Sequence, residues 1–247
     1  MASSCLAVQF SRRGALARED VETLEDLERD PVRVLAGESL REQGRAFSNL
    51  ILVREGWAAS SYALGDGRRQ VVSIHVSGDL AGLHDIPFDR AITSTVALTD
   101  CMVCRLPRRR LSELIERSPR ITAILLMMQM RNEAILVERL VSVGSRSALR
   151  RTAHLLLELE TRRAEASIRA TDHIPLSQRQ LADCLGLTDV HVNRCIRRLK
   201  EAGAIAVGRG RITVLDAGVL DRFARFDATF LDPSLCNLGE NRLAVAS

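Results

Sequence analysis

Residues 176–205, LSQRQLADCLGLTDVHVNRCIRRLKEAGAI, decide how the chain reads. Ser177 can accept from the free N–H groups that open a short helix, whose apolar face is Leu181, Cys184 and Leu185. Gly186 ends that helix, because without a Cβ it adopts the left-handed turn that redirects the chain. Leu187 then fills the space between helices. Thr188 caps a second helix, along which Val192, Cys195, Ile196 and Leu199 recur at helical spacing. Burying that stripe turns Asp189, Val190, His191, Asn193, Arg194, Arg197 and Arg198 outward.

Helix, glycine turn and capped helix with a polar, basic outer face is the helix-turn-helix pattern, in which the second helix enters a DNA major groove. The turn alone is a weak signal, since many helix pairs share it. Ala204 to Val207, Gly208-Arg209-Gly210 and Arg211 to Leu215 follow as a glycine-bounded hairpin, which adds the wing of a winged helix. Arg194 can offer two parallel donors to guanine O6 and N7, with His191 or Asn193 reaching an adjacent base edge or phosphate. Arg197, Arg198 and Lys200 fall further along and suit phosphates, as do Arg179 and Gln180 from the first helix and Arg209 at the wing tip. The caps Ser177 and Thr188 complete the candidate DNA-contacting set, and double-stranded DNA is the expected partner.

The charge distribution agrees. Between Ser145 and Leu215 there are 13 basic and 7 acidic residues, a surplus of +6, which leaves −2 elsewhere in a chain of net charge +4. At 247 residues there is room for two domains, each with its own core. No apolar run approaches the ~20 residues of a membrane helix, and residues 1–14 lack the pattern of a secretory signal, so a cytoplasmic protein without a membrane role is expected. Six scattered cysteines in a chain of this size imply reduced thiols rather than a disulfide framework. Nothing pairs a nucleophile with an oriented base and no glycine loop cradles phosphate, so an enzyme is not expected.

Upstream the texture changes. Residues 1–30 read as an arm with a short amphipathic helix, Leu16 to Leu27. Residues 31–118 alternate short apolar runs (32–36, 49–54, 57–64, 70–76, 95–98, 102–106) with glycine turns, the rhythm of an antiparallel β-domain. Gly65-Asp66-Gly67 suits a hairpin between two of these runs. Residues 119–143 form one long helix of about seven turns, whose first half, ITAILLMMQM, is apolar nearly all round. Such a helix needs cover on more than one side: its own β-domain on one, the same helix of a second subunit on the other. A homodimer through 119–143 is the expectation, against burial within one subunit. Gly144 reads as a hinge into a DNA-binding domain at 144–231, and 232–247 as a flexible tail.

The helix-turn-helix stretch, together with RITVLD after it and GESLREQG, LVREGWA and GDLAG before it, resembles the Crp/Fnr family of bacterial regulators over Pro31 to Asp216. The resemblance implies an α+β protein: an N-terminal β jelly roll of the cyclic-nucleotide-binding type, a long dimerisation helix and a C-terminal winged helix-turn-helix. It further implies a palindromic DNA site and contact with RNA polymerase. The family's groove-reading positions fall on Asp189, Val190 and Arg194. Only Arg194 keeps the usual type, so the half-site should differ from the best-known one.

The effector loop departs further. Cyclic-AMP-binding members carry Gly-Glu-Leu and then Arg-Ser; here the stretches are Gly82-Leu83-His84 and Ala91-Ile92-Thr93-Ser94-Thr95. The ribose-binding carboxylate and the phosphate-binding guanidinium are both missing, and a buried phosphate without a counter-charge is costly. Arg90 could substitute only if the loop rearranged. The candidate effector loop is therefore Gly82, Leu83, His84, Arg90, Thr93 and Ser94, with no cofactor and no metal expected and an unidentified small molecule as its ligand. Iron–sulfur members gather cysteines near the N-terminus, where this chain has Cys5. Haem on His75 or His84 and a metal on Cys101 and Cys104 are weaker alternatives, since strand positions three apart face opposite ways. Two further readings stay open: a ligand-free β-domain acting as a dimerisation and protein-interaction scaffold, and a switch by oxidation of Cys184 or Cys195.

Overall fold

The computed structural model describes residues 4–11, 16–166 and 171–231; the tail at 232–247 lies outside them. Helices α1 (Cys5–Ser11) and α2 (Arg18–Leu27) precede eight short strands: β1 (Val32–Val34), β2 (Ser39–Arg41), β3 (Asn49–Glu55), β4 (Ala58–Ala63), β5 (Arg69–His75), β6 (Leu80–Ala81), β7 (Ser94–Ala97) and β8 (Cys101–Pro107). They form two four-stranded antiparallel sheets, ordered β1-β8-β3-β6 and β2-β7-β4-β5. Two facing sheets of this order make the jelly roll, with Val34, Ile51, Val53, Ala58, Ala97 and Val103 buried between them. The β4–β5 hairpin turns at the Gly65-Asp66-Gly67 segment, with positive φ at Gly67 alone of its two glycines. Six strands match the alternating runs. Both β2 and β6, and also α1, escaped them.

α1 has a tertiary cause. Glu28, which follows α2, accepts from Ser4 Oγ (2.7 Å) and from the backbone N–H groups of Cys5 (2.9 Å) and Leu6 (2.7 Å). A carboxylate 22–24 residues away thus satisfies the donors that open α1. Leu6 and Phe10 then enter the cluster formed by Leu50, Leu106, Ile121, Ile124 and Met128.

Helix α3 (Arg108–Arg117) leads into α4 (Pro119–Ser145), started by the Ser118 hydroxyl, which accepts from Ile121 N–H at 3.2 Å, and by Pro119 in its first turn. One side of α4 is buried through Ile121, Ile124, Leu125, Met128 and Ile135. On another lie Leu126, Met130, Val137 and Leu140, all exposed. The expected hinge at Gly144 is corrected: Gly144 is helical, and the chain turns at Arg146, which is extended, and Ser147, which caps α5 (Ala148–Glu165). Ser147 accepting from Arg150 N–H fixes the break two residues later than the glycine suggested.

The largest apolar cluster is shared between the two halves of the chain. Trp57, Val71, Ile74 and Val76 of the β-domain pack with Leu155, Leu156 and Leu159 of α5 and with residues of the helix-turn-helix. A buried row of charges crosses the same boundary. Arg162 Nη2 meets Asp79 Oδ2 at 2.7 Å and the Ile74 carbonyl at 2.6 Å, while its Nη1 reaches Glu158 Oε1 at 3.1 Å. Arg139 of α4 joins Glu158 at 3.2 Å. Burial alone would raise both carboxyls, but Arg162 beside Asp79, and Arg139 with Arg162 beside Glu158, hold each below its ordinary range.

His75 adds a pH dependence. Its Nε2 lies 2.8 Å from Ser60 Oγ, and burial lowers the imidazole from an ordinary 6.5 to about 4. An unfolded chain takes up a proton across that window and the folded one does not. Stability present at neutral pH should therefore fall as pH drops from 6.5 to 4, by on the order of 3 kcal/mol. Urea midpoints measured through this range should show the fall in the native chain and a flatter profile in His75→Gln.

Candidate nucleic-acid interface

Helix α6 (Gln178–Leu185) opens with a reciprocal cap: Ser177 Oγ accepts from Gln180 N–H at 3.2 Å, and Gln180 Oε1 accepts from Ser177 N–H at 2.8 Å. Gly186 closes it at φ 60°, and Leu187 N–H returns to the Ala182 carbonyl. Thr188 opens α7 (Asp189–Glu201), its hydroxyl accepting from His191 N–H. Val192, Cys195, Ile196 and Leu199 are buried, as are Leu181, Cys184 and Leu185 opposite them. Strands β9 (Ile205–Gly208) and β10 (Arg211–Val214) pair antiparallel with the exposed Arg209 at their turn, and α8 (Ala217–Ala224) packs on α5.

This packing leaves Asp189, Val190, His191, Asn193, Arg194, Arg197 and Arg198 exposed together on α7. Gln178, Asp189, Val190, Asn193, Arg194 and Arg197 line an open recess of about 450 Å³ between the start of α6 and the outer face of α7. Several of these side chains already have partners. Asn193 Nδ2 donates to Gln178 Oε1 at 3.1 Å, His191 Nδ1 lies 3.1 Å from Thr188 Oγ1, and Arg179 lies 3.5 Å from Asp189. Arg179 also stands 3.6 Å from Asp183, which in turn takes Arg69 of β5 at 2.8 Å. Ser177 and Gln180 are committed to the cap, so their side chains build α6 rather than project from it. Gln178 is the residue the sequence did not single out; as the first residue of α6 it carried no pattern.

Within the β-domain, the effector loop encloses a charge pair. Gly82 is left-handed at φ 99° and Leu83 is buried. His84 Nε2 lies 3.4 Å from Asp85 Oδ1 and 3.5 Å from Thr93 Oγ1, and burial lowers its imidazole below the ordinary value. Ser94 accepts from Gln43 N–H, and Arg90 donates outward to the Gly44 carbonyl. Arg41 and Asp85, neither singled out from the sequence, occupy the interior. Arg41 Nη1 approaches Asp85 Oδ2 at 2.7 Å, with side-chain exposures of 7% and 0%. Arg41 Nη2 donates to Thr93 Oγ1 (3.2 Å) and Thr95 Oγ1 (3.4 Å). The Nη1 contact lies off the hydrogen-bonding direction, so Coulomb attraction holds it. At the φ of Gly82 an L side chain is strained, and a Cβ there would also press on the end of the Arg41 guanidinium.

The five cysteines among the described residues are buried. Cys101 and Cys104 on β8 enter different apolar clusters, and Cys101 Sγ faces the Trp57 carbonyl at 3.2 Å. Burial pushes the Cys184 thiol up to about 12, which withholds the thiolate that oxidation requires. Among the described residues no group of three or more His, Cys, Asp or Glu is placed to hold a metal ion, and no helix is long and apolar enough to cross a membrane.

Comparison with known proteins places these parts. Residues 31–118 match the cyclic nucleotide-binding domain and residues 150–223 the Crp-like helix-turn-helix domain. A probable transcriptional activator of Rhizobium leguminosarum bv. viciae is 30% identical over 225 residues, 89% of this chain and 91% of the relative. Transcriptional activator protein anr of Pseudomonas aeruginosa is 26% identical over 205 residues, 82% and 84% of the two chains. FixK2 from Bradyrhizobium japonicum shares the fold with a TM-score of 0.70 at 23% identity, covering 79% of this chain and 96% of that one. The described residues therefore combine a jelly roll, a long connecting helix and a winged helix-turn-helix, and the chain belongs to the Crp/Fnr family of transcriptional regulators.

Proposed function

We propose that two copies of this chain, joined along α4, bind a two-fold-symmetric DNA site in the cytoplasm and act on transcription through RNA polymerase without requiring cyclic AMP. The observation that carries the DNA reading is the exposed face of α7, where Arg194 and Arg197 lie one turn apart at the edge of an open recess. Support for dimerisation comes from α4. Leu126, Met130, Val137 and Leu140 stand four, seven and three residues apart on its exposed side, places along one seam of a two-helix coil whose intermediate place is Glu133. Relatives named as transcriptional activators support the polymerase contact.

Independence from cyclic AMP rests on Arg41 and Asp85. Their pair sits between the two stretches that would hold ribose and phosphate, and a buried carboxylate there opposes a phosphate while neutralising the Arg41 guanidinium. The same occupancy favours the scaffold reading of the β-domain over a nucleotide sensor. Calorimetric titration of the full chain with cyclic AMP should show no heat of binding up to millimolar concentration; saturable micromolar binding would remove this part of the reading.

Selection from randomised duplexes at physiological salt tests the whole reading. It should recover a palindrome with half-site centres roughly one helical turn apart. On the recovered site, Arg194→Ala should cost about 1–3 kcal/mol and relax preference at one base pair per half-site. A uniform loss on every sequence would instead assign Arg194 to phosphate.

A further inference from the structure

We propose that Val190 is a specificity residue that recognises the C5-methyl group of thymine in each half-site. The proposal rests on α7 being the groove-reading helix. Val190 is 68% exposed in the first turn of α7, on a face otherwise made of charged and polar side chains. Valine is not a favoured helix former, and here its side chain takes no part in the buried stripe of Val192, Cys195, Ile196 and Leu199.

The neighbours narrow the choice of reader. Asp189 is drawn toward Arg179, His191 toward Thr188, and Asn193 donates to Gln178. Val190 and Arg194, four apart and therefore on one stripe, line the same recess. A valine neither donates nor accepts. Facing the amino group of cytosine or adenine it would strip water from a donor and return no partner. Thymine alone presents an apolar group in the major groove. With Arg194 on guanine, the thymine contacted by Val190 lies about one or two base pairs away, since their Cβ atoms stand roughly 5–6 Å apart and base pairs rise ~3.4 Å.

The test uses the full-length chain and the duplex it selects, with each thymine replaced in turn by deoxyuridine, which removes the methyl and nothing else. One position per half-site, within two base pairs of the guanine, should lose about fourfold in affinity. Val190→Ala should bind both duplexes alike at that position while keeping its preference for the guanine. Val190→Glu should move the preferred base there from thymine to cytosine. Because Val190 is exposed, neither variant disturbs the fold. Tolerance of deoxyuridine at every position, persistence of the methyl preference in Val190→Ala, or a selected site with no thymine near the guanine would overturn the proposal while leaving α7 as the groove helix. Failure to bind any duplex would overturn both.

Discussion

Replacing Arg162 with methionine is expected to lower the stability of the folded chain by about 3–5 kcal/mol, the usual cost of leaving buried charge without its partner. Arg162 is 3% exposed and bridges Asp79 of the β-domain to Glu158 of α5. Without it, Asp79 keeps the N–H of Val76 and Glu158 keeps Arg139, but neither hydrogen bond replaces a guanidinium shared by two carboxylates. Urea denaturation should show a lower midpoint. Adding Asp79→Asn to Arg162→Met should recover much of the loss, since Glu158 keeps Arg139 while the neutral amide at 79 no longer requires a counter-charge. A single variant with native stability would mean that the charges are hydrated or compensated in another way.

The second large effect falls on the outer side of α4. Aspartate at both Val137 and Leu140 is expected to yield folded monomers whose affinity for the selected palindrome is at least ~100-fold lower, because two half-sites are no longer bound as one event. These side chains are 54% and 74% exposed in the single chain, so the monomer fold is spared. In a two-helix coil each would bury apolar surface worth roughly 1.5–3 kcal/mol, which two like-charged aspartates facing their copies reverse. Sedimentation equilibrium gives the mass, and gel shift at matched concentration gives the affinity. A doubly substituted chain that remains dimeric would place the interface elsewhere.

What the sequence disclosed and what it withheld divide along physical lines. Six of the eight strands of the jelly roll were legible, because a half-buried strand must alternate and a turn must use special residues. The helix-turn-helix was legible from Ser177, Gly186 and Thr188, whose roles are local and depend on neighbours three or four positions away. α1 was not, since Glu28 caps it from the far end of α2. Arg41 was hidden for the same reason: along the sequence it is one arginine among many, and only the fold sets it against Asp85, 44 residues on. The docking of α6 on β5 through Arg69 with Asp183, and Gln70 with the Cys184 carbonyl, joins residues 114 apart and leaves no periodic trace. Hence a cluster spanning both halves, beside the clusters that lie within the N-terminal half, was not foreseen. The hinge moved from Gly144 to Arg146 and Ser147 because a serine cap on the following helix outweighs a glycine that a helix end tolerates.

The central claim is that the first two turns of α7 lie in the major groove against base edges. Methylation interference on the selected duplex tests it most directly, since dimethyl sulfate places methyl groups on guanine N7 in the major groove and on adenine N3 in the minor groove. The account predicts that N7 methylation of one guanine per half-site blocks binding and that this block is lost with Arg194→Ala. Interference confined to adenine N3, or none on either groove, would contradict it.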